Sequence, residues 1–261
     1  MGVNFKTFKW LEKNINHENL SLGVIGRQDL NLDNFEKKKI GSKFFLSNDR
    51  YADSFLLKKL KLSKIISFDK SNYEKPTFIK NFEKEIYHDD KFDIFFDGGS
   101  LQHIYNIPKA LENINKLTKI GGKILHTVVF NNFQGFGLYQ LSPEIFFSIY
   151  SEKNGFENTK IYLVNNDDDK YWYRISSLNS GEKYNFKSNG QLSIFVSTEK
   201  KIEVKEYFIH QKFYISEDIT KREFKKSKLI NFLIYARNII LSIFPNFFLN
   251  FDKKLKKERI K

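Results

Sequence analysis

The stretch FDIFFDGGSLQHIYNIPKAL, residues 92–111, decides the fold. An apolar run ends at Asp97-Gly98-Gly99, and Pro108 then opens a helix, where its missing N–H is tolerated. A carboxylate and two glycines at the end of a buried strand have two explanations. One is a tight turn and nothing more. The other is a ligand lying across the carboxyl ends of a parallel sheet, where α/β proteins place their sites.

Working outward, strand-like and helix-like segments alternate along the chain. Helices are predicted within the first 20 residues, at 52–62, from Pro108 to about 117, and at 142–156. The remaining strands are predicted at 20–26, 65–69, 77–82, 122–130, 160–164 and 192–198, with irregular polar segments at 27–50 and 165–191. Such alternation indicates crossover units. The predicted fold class is therefore α/β and Rossmann-like. It has about seven mostly parallel strands, helices on both faces and an antiparallel last strand, the final two strands pairing antiparallel at one edge.

Composition excludes several kinds of site. The 261 residues include no Cys, so disulfides, thiolate metal sites and a Cys nucleophile are ruled out. His17, His88, His126 and His210 show no metal-ligand spacing, and we assign them no functional role and predict no metal. The N-terminal MGVNFKTFKWLEKN lacks the apolar core of a secretory signal, so a cytoplasmic location is expected.

The basic charge is concentrated at the C-terminus. Residues 221–261 carry a net charge of +9 out of +13 for the chain, which divides it into a domain at 1–205 and a basic, apolar-helical extension at 206–261. Arg237 and Pro245 interrupt the apolar segment 228–250, which argues against a spanning helix. A helix packed on the domain and an interfacial helix giving peripheral membrane contact remain the two alternatives. The charge lies away from the presumed site and no nucleic-acid-binding module is evident, so nucleic acid is not the expected partner.

Two segments carry a family resemblance. FDIFFDGGSLQHIYNIPKALENINKLTKIGGKI resembles the fourth strand, following helix and Gly-Gly lead-in to the fifth strand of the class I S-adenosylmethionine-dependent methyltransferases. NNFQGFGLYQLSPEIFFSIYSEKNGF is similar to a bacterial subgroup linked to small-molecule or surface-sugar modification. The resemblance covers about residues 20–200 and implies S-adenosyl-L-methionine as cofactor.

The resemblance implies a set of cofactor-binding residues at the ends of the early strands. Asp69 would accept the ribose hydroxyls, although an Asx-type turn explains it equally well. Asn81 would lie on the adenine edge, unless it only begins a loop. The family's G-x-G-x-G loop, with an acidic residue before it, is replaced here by LGVIGRQD, where Asp29 follows the glycines. The predicted cofactor-binding residues are Gly23, Gly26, Arg27, Asp69, Asn81, Asp97, Gly98, Gly99 and Ser100.

Catalytic and acceptor-binding residues are predicted on two loops. His103, on the loop after Gly99, is suited to remove a proton from a hydroxyl near neutral pH. Tyr139 as a catalytic residue, with Asn131 and Gln140 as substrate-binding residues, belongs to a Gly-spaced aromatic loop that is either an acceptor wall or merely flexible. The predicted function is methyl transfer to a small molecule or sugar. The alternatives are a scaffold that kept the fold and lost activity, and a nucleic-acid methyltransferase.

Overall fold

A single mixed β-sheet organises the chain. The computed structural model describes residues 2–45, 50–168, 171–180, 182–184, 186 and 188–209, and the backbone of a strand at 255–259. The helices are α1 Phe5–Asn14, α2 Asn34–Ile40, α3 Asp53–Lys59, α4 Ile107–Leu117 and α5 Pro143–Ile149. The strands are β1 Gly2–Val3, β2 Ser21–Ile25, β3 Asp29–Leu30, β4 Lys64–Asp69, β5 Phe78–Ile79, β6 Phe92–Asp97, β7 Thr118–Asn131, β8 Phe156–Asn165, β9 Tyr171–Ile175, β10 Leu192–Lys200 and β11 Leu255–Arg259.

The order of the strands confirms the predicted fold class. Within the described residues the main sheet has nine strands in the order β11-β9-β8-β10-β7-β6-β2-β4-β5. Strands β5, β4, β2, β6 and β7 run parallel, and β10 pairs antiparallel with both β7 and β8. The parallel half is the doubly wound Rossmann arrangement. The late antiparallel strand was predicted, but it is inserted between β7 and β8 and does not lie at an edge.

The centre of the sheet is buried on both faces, as parallel strands between helices must be. All five residues of β2 are buried, and so are five of the six in β6. Gly23 permits this packing, because a Cβ there would lie 2.7 Å from a ring carbon of Phe92 and 2.8 Å from one of Phe95. Strands β2 and β6 are therefore held together by close contact of the Phe92 and Phe95 rings with the backbone of Gly23.

Three expectations about local structure were wrong. The predicted strand at 77–82 is reduced to the two residues of β5, since Pro76 cannot donate to a ladder and Asn81 turns the chain by accepting the N–H of Glu83. The segment 27–50 contains α2, whose capping box joins Asp33 and Glu36. The polar segment 165–191 contains β9, because Trp172 packs against Trp10 of α1 with 5.5 Å between ring centroids.

The predicted domain boundary at 205/206 remains a prediction. Residues 201–209 return to the body, where the backbone N–H of Phe208 donates to Asn154 Oδ1 at 2.6 Å and Tyr207 packs against the core. The predicted helix at 228–250 lies outside the described residues. Among the helices that are described, none has the length and apolar character needed to cross a membrane.

The buried ammonium group of Lys200 connects strand β10 to the C-terminal end of α4. Lys200 is 2% exposed, and its Nζ donates to the carbonyls of Asn115 at 2.6 Å and Thr118 at 3.0 Å and to Glu203 at 2.7 Å. Those carbonyls lie at the C-terminal end of the helix, which carries partial negative charge. Burial lowers the pKa of Lys200, while the Glu203 carboxylate opposes that shift.

Lys200→Met should lower the free energy of unfolding by about 1–3 kcal/mol, because it leaves two helix-end carbonyls without a donor. The neighbouring Lys201 is exposed and forms a surface ion pair with Glu157, so Lys201→Met serves as the control and should change stability little. Urea denaturation of the two variants measures the difference. Equal stability of the two variants would contradict the role given to Lys200.

Candidate functional site

A cavity of about 380 Å³ opens at the carboxyl ends of β2, β4 and β6. This volume lies within the range of small-molecule sites. The cavity has apolar walls and several polar groups, and its position is the one at which doubly wound sheets bind ligands. Seven predicted site residues line it: Gly26, Arg27, Asp69, Gly98, Gly99, Ser100 and His103.

The floor of the cavity is the turn after β6. Asp97 Oδ1 accepts the backbone N–H groups of Gly99 at 3.1 Å, Ser100 at 2.7 Å and Leu101 at 3.3 Å. Gly99 has a φ of +100°, which a residue with a side chain rarely adopts. A Cβ at Gly98 would lie 2.1 Å from Gln28 Oε1. The two glycines are therefore required by geometry, and they leave bare backbone facing the cavity.

The turn after β2 is joined to this floor. Gly26 has a φ of +73°, and a Cβ there would lie 2.4 Å from Ser100 Oγ. Ser100 Oγ in turn donates to the carbonyl of Ile25 at 2.8 Å. The two glycine-bearing turns therefore pack against each other as one surface, although the G-x-G-x-G spacing is absent.

The Asp69 side chain stabilises its own turn and also lines the cavity. Its Oδ1 accepts the backbone N–H of Ser71 at 3.0 Å, which is the Asx-type turn expected from the sequence. Within the part of the chain that is described, its Oδ2 has no hydrogen-bond partner. The carboxylate at the end of β4 thus retains accepting capacity toward a ligand.

Arg27 forms a rigid wall of the cavity. Its Nε donates to Asp53 Oδ2 at 2.6 Å and its Nη1 donates to the carbonyl of Lys75 at 2.9 Å. The guanidinium also lies over the ring of Tyr51, with Cζ 4.0 Å from the centroid. These contacts hold the Arg27 side chain in place directly after Gly26, at the edge of the cavity.

Burial shifts the pKa of two of the ionisable groups that line the cavity. Burial lowers the pKa of His103 from its ordinary value of 6.5, although the Asp97 charge opposes this shift. The imidazole packs against Phe136 with 5.8 Å between ring centroids. Burial also raises the pKa of Glu74, and the nearby carboxylates of Asp29 and Asp69 add to that shift.

The other predicted site residues do not line the cavity. Gly23 lies inside β2 and serves packing, and the Asp97 carboxylate is fully buried behind the turn that it caps. Asn81 is used in its own turn. On the following loop, Tyr139 Oη donates to the carbonyl of Tyr105 at 3.1 Å and Gln140 Oε1 accepts the N–H of Phe133 at 3.1 Å.

The last of these residues, Asn131, ends β7 opposite Leu192 of β10. Asn81, Tyr139 and Gln140 do not line the cavity because each side chain forms a hydrogen bond with a nearby backbone group and so fixes its own loop. The aromatic loop is packed on the turn after β6, where the carbonyl of Gln102 accepts the N–H groups of Leu138 at 2.8 Å and Tyr139 at 3.2 Å. It is therefore held against the residue next to His103.

Sequence reasoning missed several residues of the site. Gln28, Tyr73, Glu74 and Lys80 line the cavity, and no spacing in the sequence indicates it. Gln28 is 5% exposed and its Nε2 donates to the carbonyl of Gly26 at 2.8 Å, so it supports the first turn from below. His126, to which no role was assigned, lies in register with Asp97 on the adjacent strand. A parallel sheet brings such a pair together, so this neighbour was predictable once the two strands were.

No protein-family model and no curated protein matches the chain. Solved structures do: the YcgJ protein from Bacillus subtilis at 12% identity (TM-score 0.43; 77% of this chain, 98% of that one) and the N-methyltransferase NodS from Bradyrhizobium japonicum at 10% (0.44; 76% and 97%). A third is Haemonchus contortus phosphoethanolamine N-methyltransferase 2 with S-adenosyl-L-methionine, at 15% (0.43; 74% and 51%). At these identities and TM-scores the matches carry no argument about this chain, and the strand order shows the fold directly.

Gly98→Ala should destabilise the protein by about 1–3 kcal/mol, because the new methyl group would overlap the Gln28 carboxamide. The double variant Gly98→Ala/Gln28→Ala should lose less than the sum of the two single variants, since it removes the group that is struck. Chemical denaturation of all four proteins measures the coupling. Strict additivity would show that the two side-chain positions do not meet.

Proposed function

We propose that the chain is an S-adenosylmethionine-dependent methyltransferase with its cofactor in the cavity at the ends of β2, β4 and β6. The observation that carries the proposal is the joined pair of glycine turns facing Asp69 across that cavity. Bare backbone allows close approach of a charged or flat ligand, and the carboxylate provides a directional acceptor.

The residues present fit this cofactor in three respects. The half-buried Asp69 has an oxygen available for the ribose hydroxyls, which are donors. Ile25, Phe82 and Ile104 give the cavity apolar walls suited to a purine ring. The turns of Gly26 and of Gly98-Gly99 present backbone to the cavity, and Ser100 and Gln28 occupy the positions that a Cβ at Gly26 or Gly98 would take. Arg27 directly follows Gly26, and its contacts with Asp53 and Tyr51 shape the end of that turn.

When bound, S-adenosylmethionine supplies an electrophilic methyl group on a sulfonium. The task of this chain is to align an acceptor with that methyl group and to remove a proton from it. His103 lies on the cavity wall with its pKa lowered by burial, so its imidazole is unprotonated at neutral pH and can accept a proton from a hydroxyl. Phe136 packs on one face of the ring.

The same residues support a proposal for the acceptor class. A hydroxyl-bearing small molecule or sugar suits a neutral imidazole at the wall, in keeping with the bacterial subgroup that residues 131–156 resemble. Nucleic acid is not proposed, because both charge signs surround the cavity: Lys70 and Lys80 face Glu74 and Glu83. Peripheral membrane contact through residues 206–261 and a cytoplasmic location stay predictions.

Isothermal titration calorimetry of the full chain with S-adenosylmethionine and S-adenosylhomocysteine tests the proposal. We expect both to bind, with the nucleosides adenosine and guanosine as specificity controls. Absence of binding would leave the scaffold alternative, in which the replaced glycine loop no longer admits the cofactor. A methyl-transfer screen of hydroxyl-bearing small molecules and sugars, with labelled cofactor, then identifies the acceptor class.

Asp69→Ala should weaken binding of S-adenosylmethionine at least tenfold, because hydrogen bonds to a charged acceptor contribute roughly 1.5–3 kcal/mol each and about 1.4 kcal/mol is a factor of ten. Asp89→Ala removes an exposed carboxylate that does not line the cavity, and it should bind as the parent does. Calorimetry compares the two. Identical affinities would remove Asp69 from the site.

His103→Gln should reduce the methyl-transfer rate roughly a hundredfold or more, as expected for loss of a general base. Since burial lowers the pKa of His103 below 6.5, the parent enzyme should keep a constant rate above pH 6.5 and lose it only on the more acidic side. The variant should lack that acidic limb. An unchanged limb in His103→Gln would assign the titration to another group.

A further inference from the structure

Three buried side chains form a connected chain behind the cavity. His126 Nδ1 lies 3.0 Å from Asp97 Oδ2, and His126 Nε2 lies 2.6 Å from Tyr150 Oη. Asp97 and His126 are fully buried and Tyr150 is 2% exposed. None of the three lines the cavity described above. The chain nevertheless runs from α5's C-terminal end to the turn that forms the cavity floor.

The hydrogen-bond inventory fixes the direction of both bonds. Burial holds the pKa of Tyr150 well above its ordinary value, so its hydroxyl keeps the proton. Within the described residues that hydroxyl has no other acceptor, and it therefore donates to His126 Nε2. The ring proton of His126 then lies on Nδ1 and is donated to Asp97 Oδ2. The His126 ring also packs against the ring of Phe146, with 5.1 Å between the centroids.

Asp97 thereby receives four donors in a fixed pattern. Its Oδ2 is taken by His126, and its Oδ1 takes the backbone N–H groups of Gly99, Ser100 and Leu101. A buried carboxylate oxygen without a donor is costly, so Oδ2 keeps the orientation in which His126 donates to it. The position of the turn is therefore set by the orientation of Asp97, and that orientation is set by His126.

We propose that His126 and Tyr150 are positioning residues for the cofactor, acting through Asp97 on the turn of Gly98, Gly99 and Ser100. This inference rests on the proposed function, because the turn is the floor of the proposed cofactor cavity. Removing the Nδ1–H donor leaves Asp97 Oδ2 buried without a partner. The carboxylate then rotates toward another donor and shifts the turn, and the cavity no longer fits its ligand.

Two substitutions of His126 distinguish the role of its Nδ1 from that of its Nε2. In His126→Asn the amide nitrogen is as many bonds from Cα as Nδ1, so it can still donate to Asp97. In His126→Gln the amide nitrogen corresponds to Nε2, and the donor to Asp97 is lost. Tyr150→Phe removes only the hydroxyl. Tyr173→Phe is the matched control, since Tyr173 belongs to the same core cluster and its hydroxyl donates to Asp168 on another part of the sheet.

Calorimetry with S-adenosylhomocysteine should show roughly tenfold weaker binding for His126→Gln and nearly parental binding for His126→Asn. Tyr150→Phe should bind more weakly than Tyr173→Phe, even though both lose a buried hydroxyl and some thermal stability. If the His126 variants do not fold, this tyrosine pair carries the test. Equal affinity of Tyr150→Phe and Tyr173→Phe would then overturn the proposal.

A second readout needs no cofactor. The ¹⁵N spectrum of histidine-labelled protein should show His126 protonated on Nδ1. In uniformly ¹⁵N-labelled protein, the backbone amide signals of Gly99 and Ser100 should move in His126→Gln and Tyr150→Phe but not in Tyr173→Phe. Unmoved amide signals would overturn the positioning role. Failure of the parent protein to bind either ligand would refute the proposed function instead, and the amide signals would still decide whether His126 positions the turn.

Discussion

The Asp97 carboxylate is the interaction on which the site depends. It is fully buried at the end of β6, and the charge is tolerated because three backbone N–H groups and one imidazole surround it. The backbone donors come from the turn itself, and the imidazole comes from the neighbouring strand. One buried group therefore sets the conformation of the loop and its register against the sheet. The glycines that look like a ligand-binding motif are, in the first place, the residues that can follow such a carboxylate closely.

The fold could largely be predicted because its central part obeys periodic rules. The strands and the helix after Pro108 were placed by apolar runs bounded by Gly, Asp and Pro, which is a local and strong pattern. The elements missed were short or depended on distant contacts. Strand β9 has the aromatic sequence YWYRI but lies in a mostly polar segment, and its pairing with β8 and its packing of Trp172 on α1 appear only in the folded chain. The capping box of α2 at Asp33 and Glu36 was visible in the sequence and was overlooked.

The site was less predictable, for a different reason. Residues at strand ends, such as Asp69 and Gly99, could be assigned to the cavity because parallel strands end at one edge. Side chains on the connecting loops could not be assigned, since Asn81, Tyr139 and Gln140 each find a nearby backbone partner that only the folded chain supplies. Gln28 illustrates the converse: its burial beneath Gly98 follows from the closeness of two turns that lie about seventy residues apart in sequence.

The shortness of β5 has a consequence for the behaviour of the protein at high concentration. The parallel side of the sheet terminates in two residues, Phe78 and Ile79, both exposed and preceded by Pro76. A longer apolar strand there would offer a row of unpaired amides and carbonyls to any other open sheet edge. With only two residues in the ladder, such edge-to-edge pairing finds few hydrogen bonds to form, so this side of the sheet is protected against aggregation by its brevity.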